Sequence, residues 1–154
     1  RLSIHASHYT PIFERLIPTG ELADVTGTPF DFRTMKAVGE DINQDNVQLG
    51  YGQGYDHNYA LDGFDGTIQK VASVEEPTTG RKMDVYTDQP GLQFYAGNCI
   101  TPQTGKGGAA YGKRSGLCLE TQCFPDAINQ PQFQNVIYGP ERPYKTTTIY
   151  KFYN

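Results

Sequence analysis

Residues 117–129 read Leu-Cys-Leu-Glu-Thr-Gln-Cys-Phe-Pro-Asp-Ala-Ile-Asn, and their alternation points to β-structure. Leu117, Leu119 and Thr121 alternate with Cys118, Glu120 and Gln122, and a period of two sends the two sets to opposite faces of a strand. One face is apolar. The other carries a carboxylate and an amide at adjacent same-face positions. Phe124 and Pro125 then stop the strand, and Asp126–Asn129 reads as a turn. Glu120 therefore stands on rigid backbone near a strand end, among small or polar neighbours, where a general base can be held. A strand glutamate that only faces solvent has the same pattern, so this stretch supplies the position and not the role.

The same period recurs along the chain. Leu2–Tyr9 alternates and predicts a strand ended by Thr10-Pro11. His5 and His8 lie on opposite sides of such a strand and read as surface residues rather than a metal pair. Ile17–Gly20 is a turn signal, and Glu21–Val25 a short strand. Phe30–Val38 has room for one or two helical turns, stopped by Gly39. Asp41–Gly54 is polar, contains glycine and has no period, and connections of that length are often functional. Tyr59–Leu61 predicts a short strand and Asp62–Gly66 a hairpin loop. Ile68–Glu75 and Lys82–Thr87 pair across the turn at Pro77–Gly80, with Met83 and Val85 on one face. Asp88–Gly91 turns into a strand at Leu92–Ala96. The glycine-rich Thr101–Tyr111 lacks the spacing of a phosphate-binding loop. Pro131–Pro143 is a polar connection, and Thr146–Tyr153 closes the chain as a strand. About eight short strands, with turns roughly every eight to twelve residues, suggest an antiparallel sandwich or part of one.

The chain has 154 residues, enough for one domain with a real core. Glycine, proline, tyrosine and phenylalanine are frequent and tryptophan is absent, a mix that favours strands and turns over helices. A net charge of −4 with scattered basic residues speaks against a nucleic-acid surface. No segment has the apolar length of a membrane span. There is no signal peptide, but the chain starts at Arg1 rather than Met, so its absence says little about compartment. Cys99, Cys118 and Cys123 are odd in number and match no zinc spacing. Cys118 and Cys123 permit a bridge without requiring one, and the expectation is three reduced, mostly buried thiols.

Five motifs occur in one order: Leu16-Ile17-Pro18-Thr19-Gly20-Glu21, Gly27-Thr28-Pro29-Phe30-Asp31-Phe32, Gly54-Tyr55-Asp56-His57-Asn58, Pro90–Asn98 (PGLQFYAGN), and Leu119-Glu120-Thr121-Gln122 with Phe124-Pro125-Asp126. Together they resemble the aldose 1-epimerase (galactose mutarotase) family over nearly the whole chain. Members are about twice this length, on the scale of two ordinary domains, and residues 1–154 look like the C-terminal portion of a single family domain. The resemblance implies an all-β, antiparallel β-supersandwich, of which this is about half, with a sugar bound in an open cleft on one sheet. It implies interconversion of the α and β anomers of free hexoses such as galactose and glucose, without a cofactor.

Residue by residue, Glu120 matches the family's catalytic base, Asp56 the carboxylate that binds sugar hydroxyls, and Gln93 a polar substrate contact. His57 and Asn98 read as supports. The family's acid is a histidine in an Asn-His-x-Tyr-Phe-Asn motif that would fall before residue 1, and further histidine and arginine or asparagine contacts lie earlier still. His5, His8 and His57 sit in other motifs. Mutarotation needs a base at the anomeric hydroxyl and an acid at the ring oxygen, so this chain alone is expected to be inactive or weakly active. Its partners would be the monosaccharide and either the N-terminal half or a second copy, since half a sandwich leaves edges uncovered. Tyr55, Phe94 and Tyr95 are candidates to stack on the sugar, although strand aromatics more often serve the core.

Two other readings remain. One is a non-catalytic carbohydrate-binding module that keeps Asp56 and Gln93. The other is a hexose-6-phosphate epimerase, which would want clustered arginines, whereas Arg33, Arg81, Arg114 and Arg142 are scattered. The family is commonly cytoplasmic, with periplasmic or secreted members as the alternative.

Overall fold

The computed structural model covers residues 1–154. It is a two-layer antiparallel sandwich. The strands are β1 (Leu2–Ile4), β2 (His8–Tyr9), β3 (Ala23–Asp24), β4 (Asp56–Ala60), β5 (Gln69–Glu76), β6 (Arg81–Thr87), β7 (Gly91–Tyr95), β8 (Gln103–Thr104), β9 (Ala110–Tyr111), β10 (Cys118–Gln122) and β11 (Thr148–Tyr153), with one helix, α1 (Val47–Gly52). One sheet has the order β1-β5-β6-β11 and the other β10-β7-β4-β2-β3, while β8 and β9 form a separate small ribbon.

Alternation assigns each face. In the five-stranded sheet His57 opposes Phe94 and Tyr59 opposes Leu92, and Phe94 opposes Leu119; this set is buried. From the four-stranded sheet Leu2, Ile4, Ala72 and Val85 meet it in one core cluster. Phe30 and Phe32 fill the space between, in edge-to-face contact with Tyr55, a geometry that aromatic rings prefer. The Tyr55 hydroxyl donates to Pro29 O and that of Tyr59 to Phe30 O, so the buried phenols are satisfied.

Several expectations change. Leu2–Tyr9 is two strands in different sheets, broken where Ser7 N and Oγ donate to the Asp62 carboxylate; both halves alternate, so the pattern could not show the crossing. Asp62–Gly66 is likewise no hairpin loop, because β4 and β5 belong to different sheets. Phe30–Val38 forms no helix. Burial of Phe30 and Phe32 fixes its path as an irregular segment of turns and bends, and Lys36 bridges to Leu2. The strand expected at Glu21–Val25 is only Ala23–Asp24. The connection at residues 41–54 contains α1, which is too short to display a period but is capped. Asn46 Oδ1 accepts from Gln48 N and Leu49 N, and Gln53 closes the helix in the left-handed region. All three cysteines are free, as expected, but Cys99 and Cys118 are exposed and Cys123 is half-buried. Cys118 is not in the core because it shares the outward face of β10 with Glu120.

Candidate active site

The outward face of the five-stranded sheet is polar. In register across it, Glu120 on β10 opposes Gln93 on β7, and Gln93 opposes Asn58 on β4. Asp56 and Gln122 lie on the same face by the two-residue period. An open cleft of about 240 Å³ is lined by Asp56, Asn58, Gln93, Glu120 and Gln122, with Thr10, Ile12, Leu16, Pro18 and Pro125 as its far wall. The three residues singled out from the sequence, Glu120, Asp56 and Gln93, therefore meet in one concavity.

The groups are tied to one another. Gln93 Nε2 donates to Asp56 Oδ1 at 2.8 Å. Gln122 Nε2 donates to Asn58 Oδ1 at 3.1 Å and to Gln93 Oε1 at 3.3 Å. Glu120 is exposed, open to a ligand on three adjacent strands. Burial, then the nearby Glu120 and Asp56 carboxylates, push the Cys118 thiol up from its ordinary value. Burial, then Glu120, does the same to the Tyr150 phenol. The cleft is thus a negatively charged, acceptor-rich surface, suited to binding hydroxyl groups.

Local structure sets these positions. Asn98 Nδ2 donates to Gly52 O at 3.0 Å and to Tyr55 O at 2.9 Å, joining the end of α1 to the residue before Asp56. Gly54 has φ +133°, and a Cβ there would lie 2.3 Å from Asn98 Oδ1, so both the backbone and the close approach require glycine. The far wall is pinned to α1, where Gln48 Oε1 accepts from Ile12 N at 2.8 Å and Gln48 Nε2 donates to Ile12 O at 3.0 Å.

His57 points away from the cleft into the core. Its Nδ1 accepts from Asp56 N at 3.1 Å, and burial pushes its pKa down to about 3. A neutral, sealed imidazole on the opposite face cannot protonate a ligand in the cleft. His5 is exposed with Nδ1 at Lys70 O, and His8 is exposed on β2; neither lines the cleft. Tyr55 and Phe94 are fully buried and stack on each other, so they are unavailable for a sugar. Tyr95 stays half-buried on the cleft face, its hydroxyl accepting from Cys99 N. No three His, Cys, Asp or Glu side chains group closely enough to hold a metal ion. Asn58, Gln122 and Thr10 complete the cleft. Gln122 reads from the sequence as the amide on the face of Glu120, whereas Asn58 and Thr10 are not named there as site residues, Asn58 because its strand is expected to begin only at Tyr59 and instead begins at Asp56.

The fold and site define an antiparallel sandwich with a polar, acceptor-rich cleft on one sheet. The aldose 1-epimerase family model matches residues 1–151, and the chain belongs to that family. Human galactose mutarotase is 44% identical over 154 residues, covering 98% of this chain and 43% of its own length. Escherichia coli aldose 1-epimerase is 33% identical over 154 residues, covering 99% and 44% respectively. The crystal structure of galactose 1-epimerase from Lactobacillus acidophilus superimposes with a TM-score of 0.74 at 29% identity, covering 99% of this chain and 43% of that one. The chain spans less than half the length of each.

Proposed function

We propose that these residues form the base-bearing half of a mutarotase site that interconverts the anomers of a free hexose such as galactose or glucose. The observation that carries this reading is the convergence of Glu120, Asp56 and Gln93 on one cleft of an aldose 1-epimerase fold. Glu120 removes the proton from the anomeric hydroxyl. The electron pair of that O–H bond forms the aldehyde carbonyl as the bond from C1 to the ring oxygen breaks, and an acid protonates the ring oxygen. Rotation about C1–C2 and the reverse steps close the ring on its other face. Asp56 accepts from sugar hydroxyls, and Gln93 holds Asp56 while contacting the sugar. Each positioned proton transfer is worth about 10²–10⁴ in rate. The acid comes from outside residues 1–154, as the family's histidine motif implies, and these residues alone are inactive or weakly active.

The other reading is a module that keeps Asp56 and Gln93 and binds sugar without turning it over. Glu120→Gln separates the two when made in protein that carries the remaining family segment. Polarimetry on α-galactose is expected to show about a 10²–10⁴-fold loss of rate, with galactose binding retained. Binding without turnover in both the parent and the variant would favour the module instead.

A further inference from the structure

The cleft face carries more order than the proposed chemistry uses. Gln122, the last residue of β10, directs both Nε2 hydrogens to protein acceptors, Asn58 Oδ1 and Gln93 Oε1. Gln93 passes the sense on by donating to Asp56 Oδ1. An ionised carboxylate only accepts, so the direction of the row is set from its Asp56 end. Reversing the Gln93 amide would turn its oxygen toward Asp56 and its NH2 toward the NH2 of Gln122. Asn58, 1% exposed, ends the row, held by burial alone, since its Nδ2 has no hydrogen-bond partner. A Cβ at Gly91 would lie 2.5 Å from Asn58 Oδ1 and 3.0 Å from Gln122 O. Gly91 is not among the glycines with positive φ, so the position needs space rather than backbone freedom.

We propose that Gln122 is a positioning residue, which locks the Gln93 carboxamide so that Asp56 keeps Oδ2 free for a sugar hydroxyl. Asn58 holds Gln122, and Gly91 leaves the room for Asn58. The proposal rests on the reading of the cleft as a sugar site. Its physical basis is preorganisation. A free glutamine side chain must lose rotamer freedom on binding, and a hydroxyl ligand distinguishes the two ends of an amide.

The test is a double-mutant cycle on galactose affinity, together with NMR of the Gln93 side-chain amide in the sugar-free chain. Gln122→Ala is expected to weaken galactose binding about five- to tenfold, the scale of a single hydrogen bond, and to disorder the Gln93 amide signals. In a Gln93→Ala background the same change should alter affinity by less than about twofold, because Gln122 has nothing left to hold. Gly91→Ala, which displaces Asn58, should reproduce the Gln122→Ala phenotype. Equal losses in both backgrounds, or an undisturbed Gln93 amide in Gln122→Ala, would overturn the proposal. Protein carrying the remaining family segment that binds no galactose, while Gln122→Ala still disorders the Gln93 amide, would uphold the positioning role and sink the sugar reading.

Discussion

Asp56, His57 and Asn58 show one strand serving two environments at single-residue resolution. Asp56 and Asn58 face the cleft, while His57 is fully buried among aromatic side chains. Burial lowers the His57 pKa from 6.5 to about 3, so the folded protein refuses a proton that the unfolded chain accepts. The stability that depends on neutral His57 is fully present above pH 6.5 and is lost as pH falls from there toward about 3. The slope is about 1.4 kcal/mol per pH unit. Melting temperatures measured from pH 7.5 downward should therefore fall steeply through the acid range. A His57→Leu variant should melt lower at pH 7.5 yet show a shallower acid slope. An unchanged slope would mean that other groups dominate acid sensitivity.

Among the elements, α1 matters more than its six residues suggest. Gln48 holds the far cleft wall, and the C-terminal end meets Asn98 and the start of β4. Asn98→Ala should leave Gly52 O without its donor, while Tyr55 O keeps the one from Ala96 N, and cost about 1–3 kcal/mol, read from urea unfolding. Because Asp56 follows Tyr55 directly, galactose affinity should fall as well; unchanged affinity would separate the Asn98 anchor from the site. This element was the least legible in the sequence. A helix of under two turns has no measurable period, and only the Asn46 cap and the Gln53-Gly54 exit marked it. By contrast β10 was legible nearly to the residue, since alternation ran to Gln122 and Pro125 followed. The Phe30–Val38 expectation failed for the opposite reason. Its local helical signal was overridden by the burial of Phe30 and Phe32 between the sheets.

At the scale of the molecule, the two sheets leave their edges unequally protected. At one side β3 is only two residues long, and β1 is covered by the bridge from Leu2 to Lys36. At the other side β10 and β11 are the edge strands of their sheets. They touch where Tyr150 donates to Leu119 O and the Thr121 and Thr148 hydroxyls meet. Phe152 shares the face of β11 that carries Tyr150 toward the core, yet it is 74% exposed. A long edge strand with exposed apolar side chains invites pairing. The chain is therefore expected to associate with a second copy, or with the remaining family segment when that is supplied. Light scattering across a concentration series should show mass rising with concentration, and Phe152→Lys should reduce it. A constant monomer mass for the parent chain would refute this.

Alternation and turn chemistry, which are local, determined the strands that bear Gln93 and Glu120 and which neighbours share their faces, whereas the strand that bears Asp56 was expected only at Tyr59–Leu61 and in fact runs Asp56–Ala60. Five ordered motifs placed the chain in its family. Tertiary structure alone decided which strands share a sheet, because alternation reads the same on either side of a crossing such as Ser7 or Asp62. It also decided that His57 is sealed and neutral while its neighbours are accessible, and that Gly91 leaves space for Asn58. Those properties depend on atoms brought together from distant parts of the chain, and no window of sequence contains them.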